Sequence, residues 1–269
     1  MKRSNAFFRR YLFEFEDLSW FPDIIRSGGT DYLRYFLNWT KLYQPTIPLL
    51  KKALELNAET KLIDLCSGGG GYIDEVMLYL NKDDEAKYTV LLTDKFPNIQ
   101  AFEWMKKQGK GSIGYAATAI DVMQVPHNLK GFRVLYSAIH HFKPEQVQHI
   151  VVDAVKAKAP IAIFDGDAQF FRPLQIMALL LVHPIAFLLA TPFFKPVTFS
   201  RFVFTYLIPL IPLYTIWDGA VSILRMYTAE ELRQLATEID NNYQWEYGQT
   251  KNALSLRATY LIGYPKHEN

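Results

Sequence analysis

Short apolar runs alternate with polar, helix-like stretches between about residues 60 and 168. Five of these runs end in turn residues, and they read KLIDLCSGGGG, YTVLLTD, GSIGYAATAID, FRVLYSAIHHF and APIAIFDGD. Such alternation is typical of βαβ units around a parallel sheet. The amphipathic stretch KPEQVQHIVVDAVKAKAP predicts the helix between the fourth and fifth strands.

The part of the chain before this alternation is rich in aromatic residues and predicts mainly helices. Pro22 and the Gly28-Gly29 pair interrupt it, because proline and glycine are the strongest breaks in a local pattern. Thr30 then suits the N-cap position of a helix over DYLRYFLNWTKLY. We therefore expect a helical cap with a helix that begins after Thr30.

The end of the chain predicts one more helix and two strands. The stretch MYTAEELRQLATEI is amphipathic, with Thr228 as its N-cap and Glu231 at the capping-box position. The stretches NYQWEYGQT and SLRATYLIGYP are β-like and predict a closing antiparallel hairpin. The fold class is therefore α/β, with a mostly parallel Rossmann-like sheet. Four regions follow from the pattern: a helical cap (1–57), an α/β core (58–171), an apolar helical insert (172–217), and a helix and hairpin that complete the core (218–269).

The insert differs from the rest of the chain in its lack of charge. No charged residue lies between Arg172 and Lys195, or between Arg201 and Asp218. Prolines interrupt both apolar stretches, and each is shorter than the roughly 20 residues of a straight membrane span. Two hypotheses remain open: a helical lid over the active site, or a re-entrant or interfacial hairpin at the inner membrane. Both predict a small apolar or lipid-like substrate.

Composition excludes several classes of protein. A net charge of +2 with interspersed acids and bases argues against a nucleic-acid partner. The single cysteine, Cys66, excludes an internal disulfide and a zinc site built on several thiolates, and no metal site is predicted. Acids and arginines interrupt the first 21 residues, which therefore do not resemble a secretion signal. A cytoplasmic protein is expected, with the membrane face as the alternative.

The glycine-rich turn from Asp64 to Gly71 directly follows the first predicted strand. Open α/β sheets bind ligands at this position, and glycines allow the backbone to pass close under the ligand. A dinucleotide fingerprint fails, because the sixth position counted from Gly68 is Ile73. A Walker A loop fails as well, because Tyr72 stands after Gly71 where lysine is required.

This turn resembles the first motif of the class I S-adenosylmethionine (SAM)-dependent methyltransferases. Asp64, Gly68 and Gly70 fit its pattern of an acid followed by alternating glycines, whereas Cys66 stands where glycine or alanine is usual. The resemblance implies that SAM, and its product S-adenosylhomocysteine (SAH), binds on this turn, which also includes Ser67.

The ends of the next strands extend the resemblance. In this family an acid after strand two binds both ribose hydroxyls, which places Asp94 there with Lys95 beside it. A carboxylate suits that role, because its two oxygens accept two hydrogen bonds at once. The resemblance also implies that Asp121 lies near the adenine amino group and Val122 against the ring. Ser137 belongs to a strand-four segment similar to that of many small-molecule methyltransferases.

The flanking sequences are similar to a group of bacterial class I methyltransferase-like proteins with a hydrophobic insert after strand five. The matching stretches are FEFEDLSWFP, TDYLRYFL, LLTDKFPN and YLIPLIPLYTIWDGAVSILRMYTAEEL. The similarity covers nearly the whole chain. It implies a fold and a cofactor class, but it names no substrate.

Candidate catalytic and substrate-binding residues follow the fourth and fifth strands. His140 and His141 lie just beyond strand four, where a neutral imidazole suits a general base. Asp165, Asp218 and Arg225 are candidates for binding a polar substrate head. The sequence thus predicts SAM-dependent methyl transfer to an oxygen, nitrogen or carboxyl group of an apolar acceptor. The alternatives are a non-catalytic SAM-binding protein and a membrane-associated scaffold.

Overall fold

A seven-stranded sheet forms the centre of the protein. The computed structural model describes residues 11–83, 87–167, 172–237, 239 and 242–266, so the first ten residues of the predicted cap lie outside it. The strands are β1 (Lys61–Leu65), β2 (Thr89–Thr93), β3 (Ile113–Tyr115), β4 (Phe132–Tyr136), β5 (Ile161–Gly166), β6 (Tyr243–Lys251) and β7 (Arg257–Pro265). Their order is β3-β2-β1-β4-β5-β7-β6. The first five are parallel, and β7 runs antiparallel to both β5 and β6. This confirms the predicted parallel sheet with a C-terminal antiparallel hairpin.

Helices cover both faces of the sheet. They are α1 (Asp23–Thr40), α2 (Ile47–Leu56), α3 (Ile73–Leu80), α4 (Ile99–Gln108), α5 (Pro144–Lys156), α6 (Arg172–Ala190), α7 (Phe199–Phe202), α8 (Leu210–Arg225) and α9 (Ala229–Thr237). Successive side chains of β4 alternate between two cores, as the period of two in a strand requires. Val134 packs with residues of α2, α3 and α4, whereas Leu135 packs with residues of α5 and α9.

The prediction that a helix begins after Thr30 is wrong. Helix α1 begins at Asp23 and continues through the glycine pair. A Cβ atom on Gly28 would lie 2.5 Å from Cδ1 of Ile211, and one on Gly29 would lie 1.7 Å from the hydroxyl of Tyr214. The two glycines therefore allow α8 to pack directly on α1, and this close packing outweighs their poor helix propensity.

The predicted capping box at the start of α9 is confirmed. The main-chain nitrogen of Thr228 donates to Oε2 of Glu231 at 2.9 Å, and that of Glu231 donates to Oγ1 of Thr228 at 3.1 Å. Helix α8 runs across the boundary that the sequence places at residue 217. The last part of the apolar insert is therefore continuous with the segment that leads into α9.

The apolar insert forms a group of helices on the N-terminal cap. Phe187, Phe194 and Ile211 share a core cluster with Phe21 and Ile25. One helix of the described residues, α6 with the short turn after it, is long and apolar enough to cross a membrane. Only 17% of its most apolar 18-residue stretch is buried. A second apolar helical pair, 199–207 and 210–225, is bent by 80°.

His183 fixes α6 to the cap. Its Nδ1 lies 2.8 Å from the hydroxyl of Tyr32, and its Nε2 lies 2.9 Å from Oγ1 of Thr215. Burial lowers the pKa of His183 to about 4. A neutral imidazole has one donor and one acceptor nitrogen, so it satisfies both hydroxyl partners without a buried charge.

Acidification is expected to destabilise the fold through His183. Between pH 6.5 and about 4 the unfolded imidazole binds a proton that the folded one does not, so stability falls as the pH falls. Once the pH is below both pKa values, the free energy of unfolding is lower by about 3 kcal/mol than at neutral pH. Urea denaturation of the wild type and His183→Gln at neutral pH and near pH 4 measures it. The wild type should lose more stability on acidification than the variant, and an equal loss in both proteins would exclude His183 as the cause.

Candidate cofactor and active site

A cavity of about 340 Å³ opens at the carboxyl ends of the parallel strands. Its volume lies in the range of small-molecule sites, roughly 300–1,000 Å³, and its position is where open α/β sheets bind ligands. Nine of the residues predicted from the sequence line it: Cys66, Ser67, Gly68, Asp94, Lys95, Asp121, Val122, Ser137 and His141. The structure thus brings together residues from the ends of β1, β2 and β4 and from the loop after β3.

The turn after β1 is shaped by a left-handed backbone and close packing. Cys66, Gly68 and Gly70 have φ angles of 61°, 55° and 102°. A Cβ atom on Gly69 would lie 2.6 Å from the main-chain oxygen of Thr30, and one on Gly70 would lie 1.9 Å from the sulfur of Met105. The turn is therefore pressed between α1 and α4. Gly70 serves this packing and does not itself line the cavity.

Asp94 connects the end of β2 to this turn. Its Oδ2 accepts a hydrogen bond from the main-chain nitrogen of Gly68 at 2.7 Å, and its Oδ1 accepts one from that of Phe96 at 2.7 Å. Burial raises the pKa of Asp94, and these two backbone hydrogen bonds act in the opposite direction. Each carboxylate oxygen has a second acceptor position. Asp94 can therefore hold the turn and still accept hydrogen bonds from a ligand in the cavity.

Asp121 and Lys95 form an ion pair of 3.0 Å at the cavity wall. Oδ1 of Asp121 accepts from the main-chain nitrogen of Met123 at 2.9 Å, which fixes the short turn that begins at Val122. Val122 is buried and packs in the core beneath the cavity. This wall therefore combines an acid, a base and an apolar residue.

Asp64 and Ser137 support the cavity in different ways. Asp64 is buried outside the lining, and burial raises its pKa to about 8. Its main-chain oxygen accepts from Oγ of Ser67 at 3.1 Å, so its place is beneath the turn. Ser137 lines the cavity with a left-handed φ of 51°, and its Oγ lies 2.6 Å from the hydroxyl of Tyr43.

The N-terminal segment contributes residues that the sequence analysis missed. Glu16, Asp17, Arg26 and Thr30 line the cavity. The guanidinium of Arg26 donates to the main-chain oxygens of Glu16 and Leu18, at 3.1 and 2.7 Å, and fixes the segment there. The acidic residues of the stretch FEFEDL, which lie among aromatic residues, were the one feature of the sequence that could have indicated a functional role for this segment. Their contact with the cavity depends on long-range packing.

His140 and His141 have different surroundings. Nδ1 of His140 lies 2.9 Å from both carboxylate oxygens of Asp165, and both side chains are buried outside the cavity lining. His141 lines the cavity, with Nδ1 2.8 Å from Oε2 of Glu14 and 2.9 Å from Oδ1 of Asp17. Burial lowers the pKa of His141, but these carboxylates outweigh that effect and raise it well above 6.5. These carboxylates therefore favour the protonated ring of His141, whereas the sequence analysis expected a neutral imidazole.

Asp218 and Arg225 do not line the cavity. The two carboxylate oxygens of Asp218 accept from the main-chain nitrogens of Phe15 and Glu16, at 2.9 and 3.0 Å. Burial raises the pKa of Asp218 to about 7. Arg225 donates to Oδ2 of Asp17 at 3.0 Å. In this structure the two residues bind the N-terminal segment from α8, away from the place predicted for a substrate head.

Sequence comparisons assign no family to this chain. No protein-family model matches it. A phosphoribosylformylglycinamidine cyclo-ligase of Staphylococcus epidermidis is 35% identical over 82 residues, which are 30% of this chain and 22% of that protein. The chain thus corresponds to less than a quarter of the curated relative it matches, and so short a segment indicates neither fold nor activity.

Solved structures share the fold at low sequence identity. Human N-acetylserotonin methyltransferase in complex with SAM superposes with a TM-score of 0.50 and 12% identity, over 91% of this chain and 58% of that chain. An O-methyltransferase family protein from Burkholderia thailandensis gives 0.50 and 12%, over 85% and 57%. The SAM-dependent methyltransferase SibL gives 0.50 and 11%, over 87% and 58%. This chain spans about three fifths of the length of each. The resemblance seen in the sequence is confirmed at the level of fold: the chain has the class I SAM-dependent methyltransferase fold.

Proposed function

We propose that this protein transfers a methyl group from SAM to a small apolar or lipid-like acceptor at a membrane surface. The observation that carries the proposal is the cavity on the glycine turn. The wall of this cavity includes Asp94, which can accept further hydrogen bonds, and the Lys95–Asp121 ion pair. These residues lie at the strand ends, where this fold binds its cofactor.

The residues of the turn fit the adenosyl and methionine parts of SAM. Cys66 and Gly68 line the cavity floor with left-handed backbone, and the absence of a side chain at Gly68 lets a ligand approach the main chain closely. Asp94 accepts from ribose hydroxyls, and Asp121 and Val122 bind the adenine. Gly69 leaves no room for a Cβ atom between the turn and α1, so the turn that forms this floor packs directly on α1. SAM itself supplies an electrophilic methyl group on a sulfonium that is already a good leaving group.

His141 lines the cavity at the end that we assign to the acceptor, and His140 lies against it outside the lining, with ring centroids 4.4 Å apart. Because a carboxylate only accepts, Nδ1 of His140 is the nitrogen that donates to Asp165, and in the neutral imidazole Nε2 is then the acceptor nitrogen. Asp165 therefore fixes both the ring and the tautomer of His140. A lone pair in this position can take a proton or bind a metal ion. Methyl transfer otherwise depends on alignment and on the exclusion of water.

Formation of SAH separates an enzyme from a non-catalytic SAM-binding protein. Purified protein is incubated with SAM and with fractions of a bacterial lipid extract presented as vesicles. We expect at least one fraction to raise SAH release above the level without lipid. SAM binding without SAH release in any lipid fraction, or with a panel of polar metabolites tested in the same way, would favour the non-catalytic alternative.

The insert supports the membrane part of the proposal. The exposed faces of α6 and of the segments after it carry large apolar side chains, namely Leu181, Val182, Ile185, Leu189, Phe193, Phe199, Leu207 and Leu213. Monomeric proteins rarely expose so continuous an apolar surface unless it binds a membrane or a partner. A lid alone would bury this face, yet most of α6 is exposed. Lys195 and the aromatic residues beside it suit the level of the lipid headgroups.

Two glutamates on this face are expected to release the protein from lipid. Leu181→Glu with Leu189→Glu should reduce co-flotation with anionic vesicles at least tenfold, because each buried leucine contributes about 1.5–3 kcal/mol. The matched control is Leu78→Glu on α3, since Leu78 and Leu189 are both 72% exposed. It should float like the wild type. Failure of the wild type to float, or equal losses in both variants, would contradict docking through α6.

A further inference from the structure

A cluster of potential metal ligands lies beside the cavity. Glu14, His140 and His141 each offer one ligand atom, and these atoms lie within 4.8 Å of one another. Oδ1 of Asp17 lies 2.9 Å from Nδ1 of His141 and adds a second carboxylate. Ligands that stand about 2.0–2.2 Å from one ion are themselves about 3–4 Å apart. The ligand atoms of Glu14, His140 and His141, at up to 4.8 Å from one another, need to approach slightly to reach this spacing, and Asp17 lies beside His141 as a fourth candidate.

Arg225 leaves one oxygen of each carboxylate turned toward the histidines. Its guanidinium lies 3.4 Å from Oε1 of Glu14 and 3.0 Å from Oδ2 of Asp17. The other oxygens, Oε2 of Glu14 and Oδ1 of Asp17, face His141. Glu14 is fully buried, and its Oε2 has no hydrogen bond of good geometry among the described residues. A buried carboxylate oxygen needs a cationic partner, and here that partner is either the protonated ring of His141, with Nδ1 at 2.8 Å, or a bound metal ion that replaces its proton.

His140 has the outer partner that metal-binding histidines usually have. Metal ligands of this type almost always donate the other ring nitrogen to a carboxylate or carbonyl, which fixes the tautomer. Asp165 fulfils this role, and its Oδ2 also accepts from the main-chain nitrogen of His140 at 3.1 Å. This leaves Nε2 as the ring nitrogen of His140 that can bind an ion.

We propose that Glu14, Asp17, His140 and His141 bind one divalent transition-metal ion next to the cavity. Two imidazoles and two carboxylates suit Zn²⁺, Mn²⁺ or Fe²⁺. His141 and Asp17 line the cavity, so the ion is open on that side to an oxygen of the acceptor. The inference deepens the proposed function, on which it rests for the position of the acceptor, and it points to an acceptor whose nucleophile is oxygen.

Calorimetry with Zn²⁺ and Mn²⁺ on the full chain, freed of metal with a chelator, tests the site. One ion per chain is expected, with affinity reduced at least tenfold (about 1.4 kcal/mol) in Glu14→Gln and in His140→Gln. The matched control is His127→Gln, which removes an exposed imidazole and should bind like the wild type. Circular dichroism verifies that each variant is folded.

The same samples are titrated with SAH, because Glu14 and His140 do not line the cofactor cavity. Unchanged SAH affinity in the variants, together with weakened metal affinity, supports the site. Folded wild-type protein that binds SAH but neither ion would overturn the inference and leave the proposed function standing. Metal affinity in Glu14→Gln and His140→Gln equal to that of the wild type would also overturn the inference. The cluster would then be an ion-pair contact that holds the N-terminal segment.

Discussion

Replacing Arg201 with methionine is expected to lower the free energy of unfolding by about 3–5 kcal/mol. Arg201 is 2% exposed, forms an ion pair with Asp31, and donates to the main-chain oxygen of Phe194 at 2.9 Å. Methionine fills a similar volume but leaves Asp31 as a buried charge without its main partner. Arg34, 3.9 Å from Asp31, replaces only part of the lost attraction.

Urea denaturation of three variants measures this effect. Arg201→Met with Asp31→Asn should recover part of the stability lost in the single variant, because it removes the charge left unpaired. Arg233→Met, which breaks an exposed pair with Glu230, should leave stability nearly unchanged. A single variant as stable as the wild type would show that this pair does not hold the insert on the cap.

Replacing Gly69 with alanine is expected to destabilise the cofactor turn and to weaken SAH binding at least tenfold. The added Cβ atom would lie 2.6 Å from the main-chain oxygen of Thr30 and 3.0 Å from the main-chain nitrogen of Asp31. Because these are backbone atoms, relief requires α1 or the turn to move. Overpacking of this kind costs about 1–3 kcal/mol, and the cavity floor would move with it.

The matched control is Gly114→Ala in β3. Its Cβ atom would meet Cδ1 of Leu91 at 3.7 Å, an ordinary contact. Thermal melts and SAH titrations of the two variants should therefore differ clearly. If Gly69→Ala melted and bound SAH like Gly114→Ala, the turn would not be pressed against α1 as the structure shows.

The sheet could be predicted from the sequence because its signals are local. Each parallel strand is a short apolar run that ends in a turn, and the period of two in β4 decides which face each side chain packs on. The cofactor turn could be recognised for the same reason, since its glycines are contiguous with the end of β1. Gly28 and Gly29 led to a wrong prediction of where α1 begins. These glycines are required by the close packing of α8, which is nearly two hundred residues away along the chain.

The contact of His141 with the N-terminal segment could not be predicted in the same way. His141 and Asp17 are separated by 124 positions, and they meet because Asp218 of α8 and Arg26 of α1 hold the N-terminal segment. Asp218 and Arg225 stood out in the sequence as charges at the edge of an apolar run, which suggested substrate binding. Tertiary packing gives both of them partners in residues 14–17. Contacts of this range leave no periodic signal in a single sequence.

Calorimetric titration with SAM and SAH, beside Asp94→Ala, tests the cofactor site most directly. The wild type should bind one molecule of either ligand per chain, and Asp94→Ala should bind at least tenfold more weakly, a loss of about 1.4 kcal/mol or more. Asp83→Ala, which removes an exposed acid before β2, is the control and should bind like the wild type. Folded wild-type protein that binds neither ligand would contradict the assignment of this cavity to SAM.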